Sequence, residues 1–199
     1  MTTLSTLQAW VDQVAGHTLP DAIHWCDGSD AEYQQMIDKM LADGTLSKLN
    51  QDKYPNCYLH RSDPTDVARV EHLTFVCTDN REDAGPNNHW MKPSEGHAKV
   101  DALFAGCMKG RTMYVIPYCM GPVDSPYARC GVEITDSPYV AVNMKLMTRM
   151  GKKALQRIEK DGTFVKGLHS TGDLSPDRRF IMHFPDELSI KSIGSGYGG

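Results

Sequence analysis

The 199-residue chain predicts an α/β fold: a mixed sheet with flanking helices. Three observations carry this reading. Two helix-period apolar stripes lie in the first 44 residues. Short apolar runs bounded by turn residues fill the rest of the chain. One further helical stretch separates those runs. The expected order is helix, helix, strand, strand, strand, helix, then three strands, which is mixed α/β and not a regular strand–helix alternation.

Leu4, Leu7, Val11 and Val14 share one helical face, with Gly16 as the expected stop. Ser29 and Glu32 have capping-box spacing, and Tyr33, Met36, Ile37, Met40 and Leu41 form the apolar stripe that follows, up to Gly44. Asp63-Pro64 opens a short turn through Val67 and Arg69 into a strand over 72–78. Residues 79–98 are rich in Asn, Asp, Gly and Pro and read as a long surface loop. Met113 to Pro117 is a nearly continuous apolar run, expected to be buried on both faces. A strand over 131–135 follows. Ser137-Pro138 starts a helix carrying Tyr139, Val142, Leu146 and Met150, which Gly151 interrupts before Leu155 and Ile158. Strands are expected over 163–168 and 180–184. Pro185-Asp186-Glu187 then reverses the chain into a last strand through Leu188, Ile190 and Ile193.

Composition narrows the function classes. With 40% hydrophobic and 23% charged residues the chain is of ordinary globular character. A net charge of −4 with scattered Lys and Arg gives no surface for nucleic acid or an anionic membrane. No run approaches the roughly 20 apolar residues of a membrane span, and Met1 to Trp10 lacks the basic and apolar regions of a signal peptide. The six cysteines and eight histidines show no zinc-ligand spacing, so the cysteines are expected to be reduced and packed.

Three places could carry chemistry. Gly194-Ser-Gly-Tyr-Gly-Gly199 follows a strand, where glycine lets backbone N–H groups approach an anion closely. It also satisfies G-x-G-x-x-G, which would suggest dinucleotide binding if a helix and an acidic residue about 20 positions on followed. A tight turn needing positive φ is the plain alternative. Gly106-Cys-Met-Lys-Gly-Arg-Thr112 could hold an anion, but it lacks the phosphate-loop pattern, and Lys109 and Arg111 read more simply as pairing with surface carboxylates. Arg69, where a turn becomes a strand, could grip a carboxylate through two parallel hydrogen bonds, or pair with Asp63, Asp66 or Glu71.

Taken in order, Asp27-Gly-Ser29, Asp63-Pro-Thr-Asp-Val-Ala-Arg69, Gly106 to Pro122, Gly131-Val-Glu-Ile-Thr-Asp-Ser-Pro-Tyr139, Met147-Thr-Arg-Met-Gly151, Phe164-Val-Lys-Gly-Leu-His-Ser170 and the closing glycine loop resemble the N-terminal part of GTP-dependent phosphoenolpyruvate carboxykinases. The resemblance covers essentially the whole chain. It implies that residues 1–199 are an incomplete N-terminal, oxaloacetate/phosphoenolpyruvate-binding domain of a cytoplasmic, monomeric enzyme of gluconeogenesis. That enzyme turns oxaloacetate and GTP into phosphoenolpyruvate, CO2 and GDP. It further implies that Arg69, Tyr197, Gly198 and Gly199 bind the substrate. No catalytic residue or metal ligand is expected in this chain: the nucleotide site and the ligands of Mn2+ (or Mg2+) would lie beyond Gly199. The short segment between Leu168 and Phe180 implies a bacterial-type member. A stand-alone anion-binding module and a dinucleotide-dependent oxidoreductase are the rival readings.

Overall fold

The computed structural model describes residues 2–66 and 70–196. Arg69, Tyr197, Gly198 and Gly199 therefore lie outside the described residues, as do Val67 and Ala68, while Asp66, Val70 and Gly196 lie within them.

In chain order the elements are α1 (Ser5–Thr18), β1 (Ala22–Trp25), α2 (Asp30–Ala42), β2 (Leu46–Lys48), β3 (Tyr58–His60), β4 (Thr74–Cys77), β5 (His89–Met91), α3 (Pro93–Phe104), β6 (Thr112–Met120), β7 (Arg129–Thr135), α4 (Pro138–Met147), β8 (Arg149–Met150), α5 (Lys152–Asp161), β9 (Val165–Ser170), β10 (Phe180–Phe184) and β11 (Ser189–Ile193). The main sheet has the spatial order β1-β6-β7-β9-β11-β10-β4-β5, with β8 on the side of β6, and β2 and β3 form a separate hairpin. This is the mixed α/β class the sequence predicts.

Strand direction positions the site. β7, β9 and β11 are mutually parallel. β6 and β10 run opposite to their neighbours β7 and β11, while β1 follows β6 and β4 follows β10. One end of the sheet therefore collects the C-terminal ends of β7, β9 and β11 and the N-terminal ends of β1, β6, β10 and β4. In open α/β sheets ligands sit beyond strand C-termini, because the loops there converge without a covering helix.

The first face of the sheet holds the main core. Leu7, Val11 and Val14 of α1, Val100 and Phe104 of α3 and Ile158 of α5 pack with Val115, Val132, Ile134, Met182 and Phe184. On the second face, Met36, Ile37 and Met40 of α2 and Ala141 and Val142 of α4 cover Tyr114 and Ile116. The six cysteines are free, but only Cys26, Cys77 and Cys119 are buried; Cys107 and Cys130 are half-buried and Cys57 is exposed, so the expected packing holds for only part of the set. No helix among the described residues is long and apolar enough to cross a membrane.

Several local expectations need correction. Gly16 does not stop α1. The helix runs on to Thr18, and Leu19 in the left-handed region closes it, its N–H donating to the Ala15 carbonyl. The carbonyls of His17 and Thr18 accept from the Gly106 and Met108 N–H groups, so tertiary partners offset the helix-breaking cost of glycine. Residues 79–98 are not one loop, because β5 and the start of α3 lie within them. Lys92-Pro93 carries the start signal, with Pro in the first turn, but Gly96 and His97 blur the apolar period. Gly96 is needed there: a Cβ would stand 2.8 Å from the Cys77 sulfur. β1 and the β2–β3 hairpin are too short to leave a periodic trace. Only half of the Ser29–Glu32 box forms: Ser29 Oγ accepts from the Glu32 N–H, but the Glu32 carboxylate accepts from the Asp27 and Gly28 N–H groups, and the Ser29 N–H donates to Asp27 Oδ1 instead.

Candidate functional site

The loops after β7, β9 and β11 are tied together by a small set of buried polar groups. Asp136 follows β7 and is buried. Its carboxylate accepts from Arg111 Nη1 at 2.7 Å, Ser170 Oγ at 2.7 Å and the Thr171 N–H at 2.9 Å. Arg111 also donates to Thr171 Oγ1 and, through Nη2, to the Gly172 carbonyl. A fork-shaped guanidinium can make these contacts together; an ammonium cannot. The expected carboxylate partner for Arg111 is therefore present, but Asp136 is fully enclosed and belongs to a strand end, so the surface pairing read from sequence is corrected to a structural clamp.

The segment around Arg111 is not an anion loop either. The Cys107, Met108, Lys109 and Arg111 N–H groups donate to main-chain carbonyls, as does Gly106, and the Gly110 N–H donates to Asp21 Oδ1. No amide from Gly106 to Arg111 is left over for a phosphate.

His169, on β9, is completely buried. Its Nε2 lies 2.7 Å from the Ser195 carbonyl, and its Nδ1 lies 2.7 Å from Thr135 Oγ1. A carbonyl can only accept, so Nε2 carries the proton and Nδ1 accepts from the Thr135 hydroxyl. Thr135 Oγ1 in turn accepts from the Ser137 N–H. This relay fastens the glycine loop after β11 to the end of β7. Burial holds the His169 imidazole below its ordinary pKa of 6.5 and keeps it neutral. The unfolded chain binds the proton more readily, so the stability His169 contributes is present above about pH 6.5 and is lost as pH falls toward the depressed value. Urea melts between pH 7.5 and 5.5 should show a drop to which His169 contributes at most about 1.4 kcal/mol per pH unit, so the slope should be shallower in His169→Gln, where the part-buried His183 still adds its share. An equal slope in both proteins would refute the assignment.

Arg179, just before β10, is the largest fully buried side chain, with 2% exposed. Nε donates to the Gly194 carbonyl at 2.7 Å and Nη2 to the Leu174 carbonyl at 3.0 Å. Nη1 donates to the Thr65 carbonyl, and the Asp66 carboxylate stands 3.8 Å away. Asp66 Oδ2 accepts from the Gly196 N–H at 2.6 Å. Its other oxygen is buried without a hydrogen-bond partner among the described residues. Gly194 is required at this crossing: φ is +87°, and a Cβ would come within 2.7 Å of the Arg178 carbonyl oxygen.

These ties join two chain segments 130 residues apart. Asp66 is three residues before Arg69, and Gly196 immediately precedes Tyr197. Beside them opens a cleft of about 320 Å³ whose walls include Asp66, Arg111, Asp136, Tyr139, Thr171 and Gly196. Tyr139 is held flat by stacking on His60 of β3, with ring centroids 4.1 Å apart.

Residues 9–199 match the family model described as phosphoenolpyruvate carboxykinase N-terminal domain. The chain belongs to that family. It is 56% identical over 97% of its length to a GTP-dependent phosphoenolpyruvate carboxykinase of Anaeromyxobacter dehalogenans (strain 2CP-C), of which the match spans 32%. The corresponding enzyme of Chlamydia trachomatis serovar D is 48% identical over 99% of this chain and 35% of its own length, and that of Chlamydia caviae 49% identical over 97% and 34%. The chain thus spans about a third of the length of the curated relatives it matches.

In this carboxykinase N-terminal domain, Arg111 and His169 lie in blocks that carried the resemblance. Their tasks, clamping and pinning, depend on Asp136 and Ser195, which periodicity does not relate to them. Arg179 carries no sequence signal at all. Its neighbourhood, Asp177-Arg-Arg179, reads as solvated charge, and only distant partners, the Gly194 and Thr65 carbonyls and the buried carboxylate of Asp66, explain its burial. The dinucleotide reading has no support, since the Gly194 and Gly196 N–H groups already serve the Ser170 carbonyl and Asp66.

Proposed function

We propose that this chain is the substrate-carboxylate-binding part of a GTP-dependent phosphoenolpyruvate carboxykinase, which converts oxaloacetate and GTP to phosphoenolpyruvate, CO2 and GDP. Family membership supports the reaction. The hydrogen bond of Asp66 to Gly196 carries the site, because it draws together the neighbours of Arg69 and of Tyr197-Gly198-Gly199. In this reading Arg69 grips a substrate carboxylate through two parallel hydrogen bonds, and Tyr197, Gly198 and Gly199 serve the same anion through backbone N–H groups. Arg179, Asp66 and His169 are positioning residues that hold the two segments side by side.

The described residues do not fit the divalent cation such a reaction uses. Around the cleft, Asp136 and one oxygen of Asp66 accept from protein donors, the other Asp66 oxygen stands beside the Arg179 guanidinium, and Asp43 and Asp63 accept from Thr45 and Thr65. The cluster His24, Cys26 and Glu32 is the group of ligand-type side chains found close together among the described residues. It spans β1, the residue after it and the first turn of α2 and includes a thiol, whereas Mn2+ and Mg2+ prefer all-oxygen sites. In this reading Mn2+ or Mg2+ and GTP are held by the remaining two thirds of a longer, cytoplasmic and monomeric protein.

Residues 1–199 alone should accordingly make no phosphoenolpyruvate from oxaloacetate, GTP and Mn2+ in a coupled assay, because phosphoryl transfer depends on nucleotide positioning and charge stabilisation. GTP-dependent product above a no-protein control would reveal a nucleotide site within this chain.

A further inference from the structure

The second face of the sheet is covered only in part. Its apolar cluster, under α2 and α4, reaches Tyr114 and Ile116 of β6 and extends to no residue of β9, β10, β11, β4 or β5. Strand register and side-chain alternation define the row that continues beyond Ile116. It runs through Glu133, Gly167, Ile190, His183, Val76 and Trp90. Gly167 is buried, and the other five are half-buried.

The centre of the row is unusual. The Glu133 carboxyl leans over Gly167, where a Cβ would meet its Oε2 at 1.8 Å, and the Tyr118 ring likewise covers Gly131 at 2.7 Å. No hydrogen bond or ion pair reaches Glu133 among the described residues, and burial raises its pKa to about 8. Burial likewise lowers that of His183. In the next row Ser192 Oγ is buried with no partner among the described residues. An unpaired carboxyl on an apolar, glycine-floored surface is costly unless a cation completes it.

We propose that this face is the seat of the polypeptide that continues past the N-terminal domain in the relatives, through an element that lays an apolar surface on Ile190 and Val76 and brings a Lys or Arg to Glu133. Two observations select this occupant. The relatives carry about twice as much chain again as the part aligned with this one, and the charged side chain in the middle of the row is acidic. The inference stands apart from the assignment of the substrate site, since it concerns the face and not the end of the sheet.

The test compares this chain alone with the same chain joined at Gly199 to the C-terminal remainder of the Anaeromyxobacter dehalogenans relative, both with Cys57→Ser. Thiol labelling of Ile190→Cys should be slower in the fusion by on the order of tenfold, whereas Leu188→Cys, exposed outside the row, should label equally in both. At pH 9, where the Glu133 carboxyl is ionised in the chain alone, Glu133→Gln should raise the melting temperature of the chain alone, by removing an unpaired charge, and lower that of the fusion, by stranding a cation. Equal labelling of Ile190→Cys in the two proteins would overturn the proposal, as would a Glu133→Gln shift of the same sign in both. Concentration-dependent protection of Ile190→Cys in the chain alone would overturn it in favour of a second copy. Should the fusion not fold, the Ile190-equivalent cysteine in the intact relative replaces it, and labelling as fast as in this chain alone would be decisive against the idea.

Discussion

Arg179→Ala is expected to be the most destabilising single change away from the apolar core, costing about 3–5 kcal/mol. The guanidinium is buried and serves three carbonyls, from Thr65, Leu174 and Gly194, with the Asp66 carboxylate beside it. Removing it strands a buried anion and several acceptors at once, and each unsatisfied group carries its own desolvation cost. Arg179→Lys should recover only part of the loss, because one ammonium cannot reach acceptors spread around a planar fork. Urea denaturation of the three proteins measures this. A cost below about 1 kcal/mol for the alanine change would place Arg179 among ordinary surface charges and remove it as the tie between the two loops.

Arg69→Ala in the complete enzyme is expected to lower kcat/KM for oxaloacetate by roughly tenfold to a few hundredfold, the equivalent of the 1.5–3 kcal/mol of a charge-assisted hydrogen bond. Arg69→Lys keeps the charge but not the paired geometry, and should fall between. KM for GTP should change far less. If Arg69 were only an ion-pair partner of Asp66 or Glu71, the melting temperature would shift slightly and the oxaloacetate kinetics would stay normal. Asp66 already accepts from Gly196 and stands beside Arg179, which weakens that alternative. Measuring both substrates and the melt on the same variants separates the cases, and unaltered oxaloacetate kinetics in Arg69→Ala would take Arg69 out of the site.

The two variants are expected to differ in kind. Arg179 should move stability and, through loop position, KM. Arg69 should move kcat/KM with little change in stability.

What the sequence determined by itself was whatever depends on near neighbours or on an unbroken motif. The stripe of Met36, Ile37 and Met40, the Ser29 N-cap on the Glu32 N–H and the buried run of β6 are local consequences of period, hydrogen-bonding side chains and burial, and all three are present. The family was legible for a related reason, since blocks such as Gly106 to Pro122 are contiguous. Elements whose stability comes from distant partners were not legible. α1 passes Gly16 because a loop about 90 residues later satisfies its last carbonyls, and α3 is set by packing against Cys77 and Phe184. The site is the extreme case. Arg179 and Asp66, or His169 and Ser195, meet only because β7, β9 and β11 run parallel while β10 turns back. Strand order and direction are fixed by how whole faces bury against one another, an energy summed over the tertiary structure, and no window along the chain contains it.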